Sequence, residues 1–183
     1  MADVLILPGG RYGPELPLLH YAARAAEARG GVVESAHWER RTDLRSLPAE
    51  QRMDWIESQV RPHLQGIGLL VGKSLGTYGA RLAAEHRLPA VWLTPILNNA
   101  TIVAAMSAAT APMLLVGGTA DPMWDGTVAR KLGPHVLEVD GADHGMDVPG
   151  RLAASVEVLG RVATAVEDFL DEIGYAGPGS HQG

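Results

Sequence analysis

Ser74 stands between two glycines in the stretch Gly72-Lys73-Ser74-Leu75-Gly76. An apolar run, Ile67-Gly68-Leu69-Leu70-Val71, precedes it, and Thr77 to Glu85, which reads as a helix, follows. A serine so placed has the form of a nucleophile elbow. There a sharp strand-to-helix turn strains the serine backbone, and the glycines remove Cβ atoms where neighbouring elements must approach. A serine hydroxyl is a poor nucleophile at neutral pH and needs a base. His144, in Asp140-Gly141-Ala142-Asp143-His144-Gly145-Met146, can take the proton. Asp121, in Gly117-Gly118-Thr119-Ala120-Asp121-Pro122, can fix the imidazole tautomer and stabilise the imidazolium. The chemistry these three residue types support together is acyl transfer through a covalent serine intermediate.

The elements that must position them are short apolar runs alternating with amphipathic segments. Val4–Leu7, Gly31–His37, Ile67–Val71, Ala90–Thr94, Met113–Val116 and His135–Val139 read as six strands. Each is apolar almost throughout, as strands buried on both faces are. Leu16 to Arg29 is an alanine-rich helix closed by Gly30-Gly31. Met53, Ile56, Val60 and Leu64 share one helix face, with Pro62 bending or shortening that helix. Between Thr94 and Pro112 there is room for one helix, near Asn99 to Ala109. Leu152, Val156, Leu159, Val162, Val166, Phe169 and Ile173 form the clearest amphipathic stripe, ended by Gly174. Such alternation predicts an α/β class fold: three α/β/α layers around a mainly parallel sheet. Ser74, Asp121 and His144 each follow a strand, so all three fall at the carboxyl edge, where such sheets place their chemistry. One domain over residues 1–174 is expected, with residues 175–183 as a disordered tail.

Composition narrows the function classes. With 183 residues, 46% hydrophobic and 20% charged, the chain suits one globular core. A net charge of -6 and the absence of a basic cluster argue against a nucleic-acid partner. The chain has no cysteine, which excludes thiol catalysis, disulfides and thiolate metal sites. Asp140, Asp143 and Asp147 fit no calcium-loop spacing, and no His-Glu-x-x-His occurs, so no metal is expected. No basic leader or membrane-length apolar stretch is present, which makes a soluble cytoplasmic protein the expectation. Oligomeric state is not readable.

Gly72-Lys73-Ser74 also ends like a phosphate-binding loop. That motif requires a glycine five residues before Gly72, where Ile67 stands. His37, ending the second strand, is the chief rival to His144. Asp125, Asp140 and Asp143 rival Asp121, with turn formation as the ordinary role of the last two. Met123 and Trp124 are candidates to line a substrate pocket. Arg11 and Lys73 either attract an anionic substrate or are solvated; Lys73 is read as incidental to the chemistry.

In these motifs the chain resembles the α/β-hydrolase superfamily, in particular its small lidless dienelactone hydrolase-like and carboxylesterase-like members. Gly72 to Gly76 matches the elbow, Gly118 to Asp121 the acid turn, and Gly141 to Gly145 the histidine loop, in the order Ser, Asp, His. The resemblance implies a six-stranded sheet in the order 2-1-3-4-5-6, without a cap domain. It implies that Leu7-Pro8-Gly9-Gly10-Arg11 is the oxyanion loop, with Pro8 where relatives usually carry His. The oxyanion donors would be Leu75 and either Gly10 or Arg11. The implied function is a serine hydrolase that cleaves a small-molecule ester or related acyl bond and needs no cofactor. The alternatives are a non-catalytic binding protein of the same fold and a nucleotide binder.

Overall fold

Six strands form one sheet, described by a computed structural model over residues 3–179. They are β1 (Val4–Leu7), β2 (Val33–Ser35), β3 (Leu69–Lys73), β4 (Ala90–Leu93), β5 (Met113–Gly118) and β6 (Val136–Val139). Their order is β2-β1-β3-β4-β5-β6, and every pairing is parallel. β1, β3, β4 and β5 are buried at every residue, which is why they read as unbroken apolar runs. β2 and β6 form the edges and are only partly covered. β2 is shorter than Gly31–His37: Val33 to Ser35 stand in register with β1, and flanking backbone bonds run from Val4 N to the Val32 carbonyl and from Ala36 N to the Ile6 carbonyl. The register sets Leu7 beside Gly72 and Lys73 beside Leu93, which aligns the carboxyl ends of β1, β3 and β4.

Six helices cover the sheet: α1 (Pro17–Glu27), α2 (Ala49–Val60), α3 (Ala80–His86), α4 (Ala100–Ser107), α5 (Gly126–Leu132) and α6 (Leu152–Glu172). Side-chain alternation along β1 divides the core in two. Val4 and Ile6 face α1 and α6, where Leu19 and Ala22 meet Val162, Val166 and Phe169. Leu5 and Leu7 face the opposite layer, with Met53 and Ile56 of α2, Leu82 of α3 and Met106 of α4. Each fully buried side chain of this size contributes about 1.5–3 kcal/mol relative to exposure. Pro62 coincides with a change from α2 into a 3₁₀ turn over Arg61–His63. Asn99 and Asp125 cap α4 and α5, each accepting from two backbone N–H groups of the first turn.

The expected tail is held at its start. The Tyr175 hydroxyl meets Asp3 Oδ2 at 2.7 Å, and the Gly177 and Gly179 amides donate to the Arg29 and Gly30 carbonyls at 2.9 and 3.0 Å. The open carbonyls after α1 supply those partners. Residues 180–183 of that tail lie outside the described residues. No described helix is long and apolar enough to cross a membrane.

Candidate active site

Ser74 sits where β3 breaks into a 3₁₀ turn, Ser74–Gly79, that leads into α3. Its φ is 50°, the left-handed region that a side-chain-bearing residue adopts at a cost of about 1–3 kcal/mol. Close packing enforces the bend. A Cβ on Gly76 would collide with the Leu7 carbonyl of β1, and one on Gly72 would lie 2.5 Å from Trp92 Cζ3. The Thr77 hydroxyl bonds the Ser74 carbonyl at 2.6 Å and secures the turn.

His144 and Asp121 converge on this serine from two other loops. His144 Nε2 lies 2.8 Å from Ser74 Oγ, and its Nδ1 lies 2.7 Å from Asp121 Oδ2. The Asp121 carboxylate is fully buried, and its Oδ1 accepts the Met123 amide at 2.9 Å. The imidazole is one-third exposed, at 33%, so one side of the line of three faces the cleft. The acid turn and the histidine loop are tied together. Ala120 N donates to the Ala142 carbonyl at 3.0 Å, and the Thr119 hydroxyl bridges Asp140 Oδ1 and Gly141 N. A Cβ on Gly118 would strike that same Ala142 carbonyl, which explains the glycine. The rivals have other partners or places: Asp125 caps α5, Asp140 and Asp143 organise turns, and His37 is exposed at the edge of the sheet.

A cavity of about 1230 Å³ opens over Ser74, lined also by His144, Leu75, Gly10, Arg11 and Met123. Gly9 and Tyr12 pair across a tight turn with Gly10 and Arg11 at its tip. The backbone N–H groups of Gly10 and Arg11 meet no acceptor among the described residues. Leu75 lies in the first turn of its helix, where an N–H has no intrahelical partner. Trp124 does not join its neighbour Met123 in the cavity. Its ring packs on Gly117 and its Nε1 donates to Glu138 Oε2 at 2.7 Å, so the expected pocket role gives way to a structural one.

No protein-family model and no curated protein matches the chain. Solved structures do. A protein described as a putative hydrolase of the α/β superfamily, from Xanthomonas campestris pv. campestris, superposes with TM-score 0.67 at 19% identity, over 94% of this chain and 99% of that one. A dienelactone hydrolase from Anabaena variabilis gives TM-score 0.65 at 18% identity, over 94% and 86%. A serine hydrolase without a lid, also from Xanthomonas campestris, gives 0.59 at 16%, over 92% and 83%. The chain has the α/β-hydrolase fold. In this lidless version only α4 fills the interval between β4 and β5.

One residue of the turn at Ser74 departs from its sequence-based expectation. Lys73 is not solvated: it is the last residue of β3 and only 2% exposed. Its Nζ donates to Thr94 Oγ1 at 2.8 Å and to the His144 carbonyl at 2.9 Å, and lies 4.5 Å from the Tyr12 ring centroid. Burial pushes Lys73 down to about 8, while the charges of Asp121 and Asp143 pull the other way. Thr94 is itself held at φ 43° directly after β4. Lys73 thus links β3, β4 and the backbone of the histidine. As a strand residue with those partners, it also lies outside any loop that would wrap a phosphate.

The second departure is electrostatic. No basic run marks the sequence, yet folding gathers arginines from three segments around the cavity: Arg11, Arg40, Arg41, Arg45 and Arg52. Sequence signals for this were weak. Arg40 and Arg41 are adjacent, but Arg11 and Arg52 join them only through the β2-β1-β3 arrangement.

Proposed function

We propose that the protein is a serine hydrolase that cleaves a carboxylic ester or related acyl bond through an acyl-enzyme on Ser74. The observation that carries this reading is the line Ser74 Oγ–His144 Nε2–His144 Nδ1–Asp121 Oδ2, with steps of 2.8 and 2.7 Å at a strained turn. Solved neighbours described as hydrolases lend support. Ser74 Oγ attacks the carbonyl carbon as its proton passes to His144 Nε2, and Asp121 stabilises the imidazolium. The tetrahedral oxyanion receives the N–H of Leu75 and that of Gly10 or Arg11. The imidazolium then protonates the leaving alcohol, and the C–O bond breaks to give the acyl-serine. Water, deprotonated by the same imidazole, attacks the acyl carbon, and the proton returns to Ser74. No step needs a cofactor. The open cleft suits a small or surface-presented ester, acted on by a soluble cytoplasmic enzyme.

The test is covalent labelling. A fluorophosphonate should modify the wild-type protein and leave Ser74→Ala unmodified. A wild type that takes no label overturns the hydrolase reading and favours a binding protein of the same fold.

A further inference from the structure

The chain carries a net charge of -6, but the cleft around Ser74 does not share it. Six of its 15 lysines and arginines line that cleft: Arg11, Arg40, Arg41, Arg45, Arg52 and Lys73. Among the described residues, Glu39 is the one acidic side chain on its wall. A concave surface lined by one sign of charge focuses the field and draws in ligands of the other sign.

Each cation can be followed to its partners. Lys73 is occupied by Thr94 and the His144 carbonyl, and Arg41 is neutralised by Asp43 at 2.7 Å. Arg52 is fixed but not neutralised. Its Nε bonds the Leu44 carbonyl at 3.1 Å, Nη2 bonds the Arg45 and Leu47 carbonyls at 3.1 and 3.0 Å, and Nη1 bonds the Tyr78 hydroxyl at 2.7 Å. All four acceptors are neutral, and one Nη1 hydrogen is left over. Arg11, Arg40 and Arg45 are exposed and meet no carboxylate among the described residues.

The segment bearing Arg40, Arg41 and Arg45 is set beside the reacting centre. Trp38 Nε1 donates to the Pro8 carbonyl at 3.0 Å, two residues from Gly10, and the Glu39 amide donates to Gln59 Oε1 at 2.7 Å. Trp38 and Trp55 supply apolar wall between the charges. Guanidinium groups match the two oxygens of a carboxylate or phosphate.

We infer that the cleft selects an ester carrying a second, anionic group, a carboxylate or a phosphate. Arg40, Arg45 and Arg52 engage that group while Ser74 attacks the ester carbonyl. The inference rests on the serine-hydrolase reading and deepens it.

The test compares mono-4-nitrophenyl glutarate with 4-nitrophenyl valerate, which match in acyl length and differ in one carboxylate. For the wild type, kcat/KM should favour the glutarate ester about tenfold at low ionic strength. That preference should fall toward parity in 0.5 M NaCl, and also in Arg40→Gln/Arg45→Gln. Hydrolysis of the valerate ester with no preference for the glutarate overturns the substrate class and leaves the hydrolase reading intact. If neither ester turns over, calorimetric titration of Ser74→Ala with both reads binding alone. About fivefold tighter binding of the anionic ester supports the inference, and equal or undetectable binding overturns it. Inhibition by glutarate or by inorganic phosphate, whichever is stronger, assigns the anionic group. Inhibition by neither counts against the proposal.

Discussion

Lys73 and Arg52 are both cations at the same cleft, and their surroundings are opposite in kind. Lys73 lies at the end of β3 under the histidine, 2% exposed, with its ammonium on a hydroxyl, a carbonyl and a tyrosine face. Arg52 is half-buried on α2 and spreads over loop carbonyls with its charge open to the cleft. Taking an ammonium out of water is costly, and burial accordingly drives Lys73 down to about 8. What the buried ammonium does make is the bond that ties the His144 carbonyl to the end of β3. The charges of Arg11, Arg40, Arg45 and Arg52 keep their reach into solvent and can select what enters. On the proposed reading, reaction geometry and substrate choice fall to different cations, one at the dry end of the sheet and the others on the wall.

The largest tests fall on the dry side. Ser74→Ala should lower kcat/KM for any accepted ester by about 10⁴-fold or more, as removal of a serine nucleophile does elsewhere. Asp121→Asn keeps the shape but changes the tautomer that is held, and should lower kcat by about 10⁴-fold in steady-state assays. Lys73→Met removes the tie to the His144 carbonyl at similar volume. A loss of about 10²-fold is expected from the displaced histidine, with the wild-type far-ultraviolet spectrum retained. Full activity in that variant would erase the distinction drawn between the two cations.

Lys73 also predicts a pH dependence of stability. Its folded value, about 8, is below the ordinary 10.5. Under about pH 8 it is protonated in both states, and the full burial cost is present. Between about pH 8 and 10.5 the unfolded chain keeps a proton that the folded chain has lost, so this residue's contribution becomes more favourable as pH rises. The stability of wild type relative to Lys73→Met should therefore increase by about 3 kcal/mol across that window. Urea denaturation at several pH values checks it, and a flat difference would show that the ammonium is well hydrated. The smallest effect belongs to the wall. In Arg40→Gln/Arg45→Gln the melting temperature should stay within about 1 °C of wild type, since surface changes away from special contacts are worth little. A large drop there would give the arginines a structural role and blur the contrast.

The three side chains of the candidate site are legible in the sequence because each is marked locally. Ser74 has its flanking glycines, while Asp121 and His144 sit in Gly-containing turns directly after apolar strands, and a parallel sheet brings such turns to one edge. Lys73 had no comparable mark. Its partners Thr94 and His144 lie 21 and 71 residues away, and a lysine at a strand end reads the same whether it is solvated or enclosed. Trp124 misled through adjacency: one step along a turn from Met123 points a side chain elsewhere, here toward Glu138. α5 escaped notice because seven residues make only two turns, too few to show a period. Composition marks residues 175–183 as a tail and says nothing of the carbonyls after α1 that accept from Gly177 and Gly179.

The grip of Arg52 has a consequence for how this protein can change. It holds residues 44, 45 and 47 by their main-chain carbonyls, and Trp38 moors the near end of the segment to another carbonyl. A loop fastened by its backbone places little demand on its own side chains. Residues 39–45 therefore constitute an exchangeable cassette. New side chains can be written into it, by natural drift or by a designer, to change the wall of the cleft while its main chain stays fastened.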